Sequence, residues 1–120
     1  RVADGWAFPY QVARTFCLFA AHAASVEAID TLYADFTDDE GLKGSAQGAR
    51  MDGFSGMIAI HPRQVPIINE AFTPSTEETD YALRVIEAFE QGGGSGAVSL
   101  DGKMLDMPHL KLARRVLEQR

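Results

Sequence analysis

Gly53-Phe54-Ser55-Gly56-Met57-Ile58-Ala59-Ile60-His61-Pro62-Arg63-Gln64-Val65 lies in the middle of the 120-residue chain. Met57 to Ile60 is a short, apolar and partly β-branched run, the composition of a buried strand. His61-Pro62 closes it, because proline biases the residue before it toward extended backbone. Val65, Ile67, Ile68 and Phe72 then recur at helical spacing, and Pro66 is tolerated in a first helical turn. The same order occurs one step earlier. Ala28-Ile29-Asp30-Thr31-Leu32-Tyr33 reads as a strand. Thr37, Asp38 and Asp39 form an N-cap cluster, and Glu40 adds negative charge to the first turn of a helix. That helix runs from Gly41 to Met51 and ends at Asp52-Gly53. Alternating strands and helices imply parallel strands joined by crossover helices, an α/β arrangement.

Upstream, residues 1–9 show no period and read as an irregular lead-in. Val12, Phe16, Phe19, Ala20 and Ala23 form one apolar helical face, with Arg14 and His22 off it. Downstream, a longer helix can start at Thr73-Pro74 or at Ser75, which with Glu78 makes a capping box. Ala82, Val85, Ile86 and Phe89 are its expected buried stripe. The glycine-rich run 92–96 reads as a flexible linker. A hairpin of Ala97–Leu100 and Lys103–Leu105 follows, turning at Asp101-Gly102, since both central positions of a type I′ turn need positive φ. Pro108 starts a final helix expected to reach about Gln119, with Leu110, Ala113 and Leu117 inward. Two parallel strands cannot close a sheet and would leave an open edge. The chain therefore reads as the last part of a larger α/β domain, which suits a first residue that is Arg1 and not Met.

With 46% apolar and 23% charged residues the chain is globular in composition. A formal charge of −6 leaves no basic stripe, which argues against nucleic acid as a partner. The best apolar stretch, Val12 to Ala28, is interrupted by Arg14, His22 and Glu27, so no membrane span is expected. The single Cys17 excludes an intrachain disulfide and suits a reducing compartment.

Several polar groups invite a chemical reading. Asp30, at a strand end, either bonds nearby backbone amides or lines a site, and spacing favours the backbone role. Asp35, Asp38, Asp39 and Glu40 do not follow calcium-loop spacing, and capping accounts for Asp38 and Asp39. His61, ahead of Pro62 and Arg63, either lines a cleft or is held structurally. His22, His61 and His109 lack zinc-ligand spacing. Gly94-Ser95-Gly96 lacks the strand-to-helix elbow of a nucleophile motif. Asp106, between hairpin and helix, suits a cap and equally an acid or base presented to a neighbour.

The run Gly53 to Val65, then Ile68-Asn69 with Phe72-Thr73-Pro74-Ser75, then Asp101-Gly102-Lys103-Met104-Leu105-Asp106-Met107-Pro108, resembles the C-terminal part of the citrate lyase β-subunit-like family. That group includes malyl-CoA and citramalyl-CoA lyases of the HpcH/HpaI aldolase superfamily. Ala28-Ile29-Asp30, Asp35-Phe36, Asp38 and Gly41 fit the segment before it, and the likeness covers roughly residues 11–120. It implies the C-terminal portion of a (β/α)8 TIM barrel, with the two strands as the seventh and eighth. Residues 1–72 would be barrel, and residues 73–120 a lid or oligomerisation extension of helix, hairpin and helix. It implies cleavage of a 3-hydroxyacyl-CoA to acetyl-CoA and a 2-oxo acid, with Mg²⁺ as cofactor and coenzyme A as part of the substrate. Asp106 matches the family's essential Asp, acting on a neighbouring subunit's site in a homo-oligomeric trimer or hexamer. Asp30, His61 and Pro62 are the expected substrate-binding residues. The family's metal ligands lie on earlier strands, so no residue here is assigned to metal, and the chain alone is expected to be inactive. A cytoplasmic enzyme is implied. A citrate lyase β-subunit acting on a citryl thioester, and a non-catalytic assembly module, remain open.

Overall fold

The computed structural model describes residues 6–93 and 96–118. Its residues up to Phe72 gather in one compact unit and those from Thr73 in another. In the first unit, helix α1 (Phe8–Ala23) carries Pro9 in its first turn, where a helix has no acceptor for an N–H. The helix thus begins inside the stretch expected to be irregular; residues 1–5 lie outside the described ones. The expected apolar stripe is present, with Phe16 67% and Phe19 65% exposed among the described residues. Leu18 is the buried residue of α1, and Ala21 packs beside it. Arg14, one turn before Leu18, shares that face. Its guanidinium pairs with the carboxylate of Asp30, which is 3% exposed. An unpaired buried carboxylate costs about 3–5 kcal/mol, so the pairing holds Arg14 on the inner face of α1 beside Leu18.

Strands β1 (Ile29–Asp30) and β2 (Gly56–Met57) pair in parallel, Ile29 opposite Gly56 and Asp30 opposite Met57. Both are shorter than the sequence suggests, and side chains take up amides just beyond them. Thr31 N–H donates to Asp30 Oδ1 at 2.7 Å, and Ile60 N–H donates to Gln64 Oε1 at 2.9 Å. Helix α2 (Asp39–Asp52) connects the strands, with Asp38 accepting the Gly41 N–H at 2.9 Å as its N-cap. Leu42 and Ala46 of α2 pack on Met57 and on Ile68 and Ala71 of α3 (Gln64–Phe72). Ala49, Phe54, Ala28 and Leu18 form a second apolar cluster.

In the second unit, α4 (Thr76–Gln91) opens with the expected capping box. Ser75 Oγ accepts the Glu78 N–H at 3.1 Å, and the Glu78 carboxylate accepts the Ser75 N–H at 2.7 Å. Ala82, Val85 and Phe89 form the buried stripe and meet Leu105, Leu110 and Ala113. Of the expected linker, Gly94 and Ser95 lie outside the described residues. Strands β3 (Ala97–Leu100) and β4 (Lys103–Asp106) form an antiparallel hairpin with Ala97 opposite Asp106. Asp101 (φ 50°) and Gly102 (φ 74°) both take the left-handed conformation a type I′ turn requires. Arg84 of α4 grips that turn, its Nη2 lying 2.5 and 2.6 Å from the Asp101 carboxylate oxygens. Helix α5 (Met107–Glu118) follows β4 directly. It starts one residue before Pro108, and Gln119 lies outside the described residues. No helix among the described residues is long and apolar enough to cross a membrane.

Candidate functional site

Parallel pairing puts the C-terminal ends of β1 and β2 on one side of the first unit, and Asp30 and the His61-Pro62 pair both lie there. Asp30 Oδ1 accepts the Thr31 N–H and pairs with Arg14, so the backbone role expected of it is present. Asp30 Oδ2 is buried without a hydrogen-bond partner among the described residues. The Arg14 guanidinium packs over the rings of Phe54 and Trp6, 4.6 and 5.0 Å from their centroids. Its Nη2 also reaches Asp52 Oδ2 at 3.2 Å. Sequence reasoning left Arg14 as the polar interruption of an apolar helix. The signal for its role was a lone cation one helix before a strand-end carboxylate.

The His61 ring stacks on Phe36, centroids 4.9 Å apart and planes 15° from parallel, and its Nδ1 accepts the Arg63 N–H at 3.2 Å. Pro62 is exposed beside it. Arg63 Nη2 lies 2.7 Å from Asp39 Oδ2, and the bond to that carboxylate raises the Arg63 pKa. Gln64, only 1% exposed, is the residue the sequence reading missed. Its Nε2 donates to the Tyr33 carbonyl at 2.9 Å while its Oε1 accepts from Ile60 N–H. One buried carboxamide thus ties the loop after β1 to the loop after β2, so it braces both Phe36 and His61. Replacing it with Leu (Gln64→Leu) is expected to cost about 2 kcal/mol, since it strands two backbone groups near enough to the surface to recruit water. Hydrogen exchange at the Ile60 amide should accelerate with it. Unchanged protection there would mean the carboxamide does not hold the loop.

The acidic run between β1 and α2 is used in local structure. The Tyr33 hydroxyl donates to Asp38 Oδ2 at 2.7 Å, and with the Gly41 amide it holds the Asp38 carboxyl below the usual range. A Cβ at Gly41 would fall on the Asp38 carboxylate and the Tyr33 hydroxyl, so any larger residue would displace this hydrogen bond. The Thr37 hydroxyl and amide lower the Asp35 carboxyl in the same way. Among the described residues no three His, Cys, Asp or Glu side chains converge as a metal site demands.

In the second unit, Asp106 ends β4 and precedes the first turn of α5, its side chain 49% exposed. Its carboxylate meets a partner the cap reading did not foresee. His109 Nδ1 lies 2.6 Å from Asp106 Oδ1 and 3.2 Å from the Asp106 amide nitrogen. Asp106 Oδ2 has no hydrogen-bond partner among the described residues. A half-exposed carboxylate with one oxygen held and one open can accept or deliver a proton at a group brought to it.

Residues 12–120 match a model of C–C bond lyases of the TIM-barrel fold. Over 109 residues the chain is 39% identical to citrate lyase subunit beta of Escherichia coli (strain K12), which covers 89% of this chain and 36% of that protein. Over 107 residues it is 39% identical to the mitochondrial citramalyl-CoA lyase of Rattus norvegicus, covering 88% of this chain and 32% of that protein. Among solved structures, CitE from Mycobacterium tuberculosis in complex with magnesium, acetoacetate and coenzyme A matches with a TM-score of 0.85 and 35% identity. That match covers 99% of this chain and 44% of that one. The chain thus spans about a third of the length of the curated relatives it matches.

Proposed function

Because this chain belongs to the C–C bond lyase family of the TIM-barrel fold, we propose that it forms the last two barrel strands and the closing extension of a lyase that cleaves a 3-hydroxyacyl-CoA. The products are acetyl-CoA and a 2-oxo acid. The barrel assignment is supported by the free face of the β1–β2 pair. Ile29 sits beside Gly56, and with Ile58 and Ile60 it is 47–53% exposed, while Asp30 and Met57 on the opposite face are buried. An apolar face of that kind is suited to the packed interior of a barrel.

The observation that carries the function is Asp106. In cleavage, the substrate hydroxyl loses its proton and becomes the oxo group, and the electron pair of the broken C–C bond passes to the thioester enolate. Asp106 delivers a proton to that enolate carbon and completes the methyl group of acetyl-CoA; in condensation it removes the same proton. It acts on a neighbouring subunit's site in a trimer or hexamer, in the cytoplasm. His61 and Pro62 offer exposed surface to the acyl-CoA at the strand ends, whereas Asp30, expected to bind substrate, is buried against Arg14 and supports the strand end instead. Mg²⁺ and coenzyme A enter the proposal from the complex of the related CitE. The metal's ligands belong to residues other than those described here.

The 39% identity to a citrate lyase subunit beta supports a second reading, a citryl thioester as substrate. The complete gene product, assayed with citramalyl-CoA, malyl-CoA and a citryl thioester, separates the two. Cleavage of a 3-hydroxyacyl-CoA that stops with EDTA and returns with Mg²⁺ is the expected result. Citryl cleavage alone would favour the second reading, and a folded oligomer that cleaves none of them would sink both. The 120-residue chain by itself should show no turnover.

A further inference from the structure

Asp106 and His109 are three residues apart across the first turn of α5, and Pro108 between them has a fixed φ. That spacing turns the imidazole back over the residue that precedes the helix. His109 Nδ1 lies within hydrogen-bond distance of two atoms of Asp106 at once, the carboxylate Oδ1 and the backbone nitrogen. The two contacts make opposite demands. A bond from the Asp106 N–H needs a lone pair on Nδ1, whereas a bond to the carboxylate needs a hydrogen there. At 2.6 Å an ionised carboxylate oxygen facing a ring lone pair would be repelled, and facing an N–H it makes a short charge-assisted bond. The shorter contact therefore selects the form of the ring with hydrogen on Nδ1.

We propose that His109 is a positioning residue for Asp106: its Nδ1–H holds Oδ1 of the carboxylate and leaves Oδ2 as the oxygen that exchanges a proton with the substrate carbon. This rests on the reading of Asp106 as the acid/base group. His109 does not touch the substrate. It fixes one rotamer of a side chain that is otherwise half-exposed and free to turn. Proton transfer to carbon needs the donor oxygen close and aligned, and a misplacement of ~1 Å can cost about 100-fold in rate.

Two measurements test it. Long-range ¹H–¹⁵N correlation spectra of the 120-residue chain report which ring nitrogen of His109 carries the hydrogen near neutral pH. Hydrogen on Nδ1 in the wild type, moving to Nε2 in Asp106→Ala, which removes the acceptor, is the expected result. The same tautomer in both proteins would overturn the pairing. In the complete gene product, His109→Phe should lower kcat for 3-hydroxyacyl-CoA cleavage about 10–100-fold with KM nearly unchanged. His109→Asn, which keeps an amide N–H at the position of Nδ1, should recover most of that loss. A structural role alone predicts no such rescue, and equal losses in both variants would overturn the proposal, as would full turnover in His109→Phe. Full turnover in Asp106→Asn would instead remove the assignment beneath it, while the tautomer measurement would still report on the pair.

Discussion

Asp106→Asn in the complete gene product is expected to lower kcat for 3-hydroxyacyl-CoA cleavage by about 10²–10⁴-fold, the contribution a positioned acid/base group makes. Asparagine has the shape of aspartate and can still accept a hydrogen bond, so the hairpin and the start of α5 should survive. As a helix cap Asn is as good as Asp, and unfolding midpoints of the two proteins should agree closely. KM should move little, because the lost interaction belongs to proton transfer and not to uniform binding. A residue that only caps α5 would give normal turnover in the same variant, and that outcome would end the catalytic reading. If Asp106 acts across subunits, mixing Asp106→Asn chains with chains inactivated at the metal-binding half should restore part of the activity in the hybrid assembly. Neither parent would have it alone.

The second large effect is expected at the other end of the chain. Arg14→Met keeps the stem of the side chain over Phe54 and removes the guanidinium. Asp30, whose side chain is only 4% exposed, would then be a buried carboxylate without its cation, and its Oδ2 has no partner among the described residues to begin with. Removing one partner of such a pair costs about 3–5 kcal/mol, which is comparable with the whole stability of a small domain. Urea unfolding of the complete gene product should show this as a lower midpoint with an unchanged slope. Removing both charges together, as Arg14→Met with Asp30→Leu, should recover most of the loss, because an apolar pair of similar volume has no charge to desolvate. A double variant no more stable than the single one would show that packing around Arg14, and not the charge on Asp30, carries the stability.

What could be read without coordinates was short in range. The type I′ turn at Asp101-Gly102, the Ser75–Glu78 capping box and the inner faces of α4 and α5 all stand where the residue pattern put them. The turn and the box depend on partners within a few residues, so the residue types nearly suffice to specify them, and the inner faces follow from each helix's own apolar period. The Asp106–His109 contact is equally short in range. It was legible in principle from an Asp three residues before a His at a helix start, but a cap reading already accounted for that Asp.

Other features depended on residues far apart in the chain. Gln64 looked like an ordinary polar residue at a helix start until Tyr33, 31 positions earlier, supplied the carbonyl for its amide. β1 and β2 looked longer because composition records strand propensity and not which groups intercept the next amide. The partner of Arg14 was invisible for the same reason. Hydrophobic periodicity left Arg14 off the apolar face, whereas Asp30, 16 residues further on, holds its guanidinium at a buried carboxylate. The order α/β with a helix–hairpin–helix close, and the presence of a carboxylate at the start of α5, were thus written in local chemistry. Which partners Arg14 and Gln64 find was decided only when the chain folded. A buried charge or amide is either satisfied or stranded only once distant residues are in contact, and no local pattern records which.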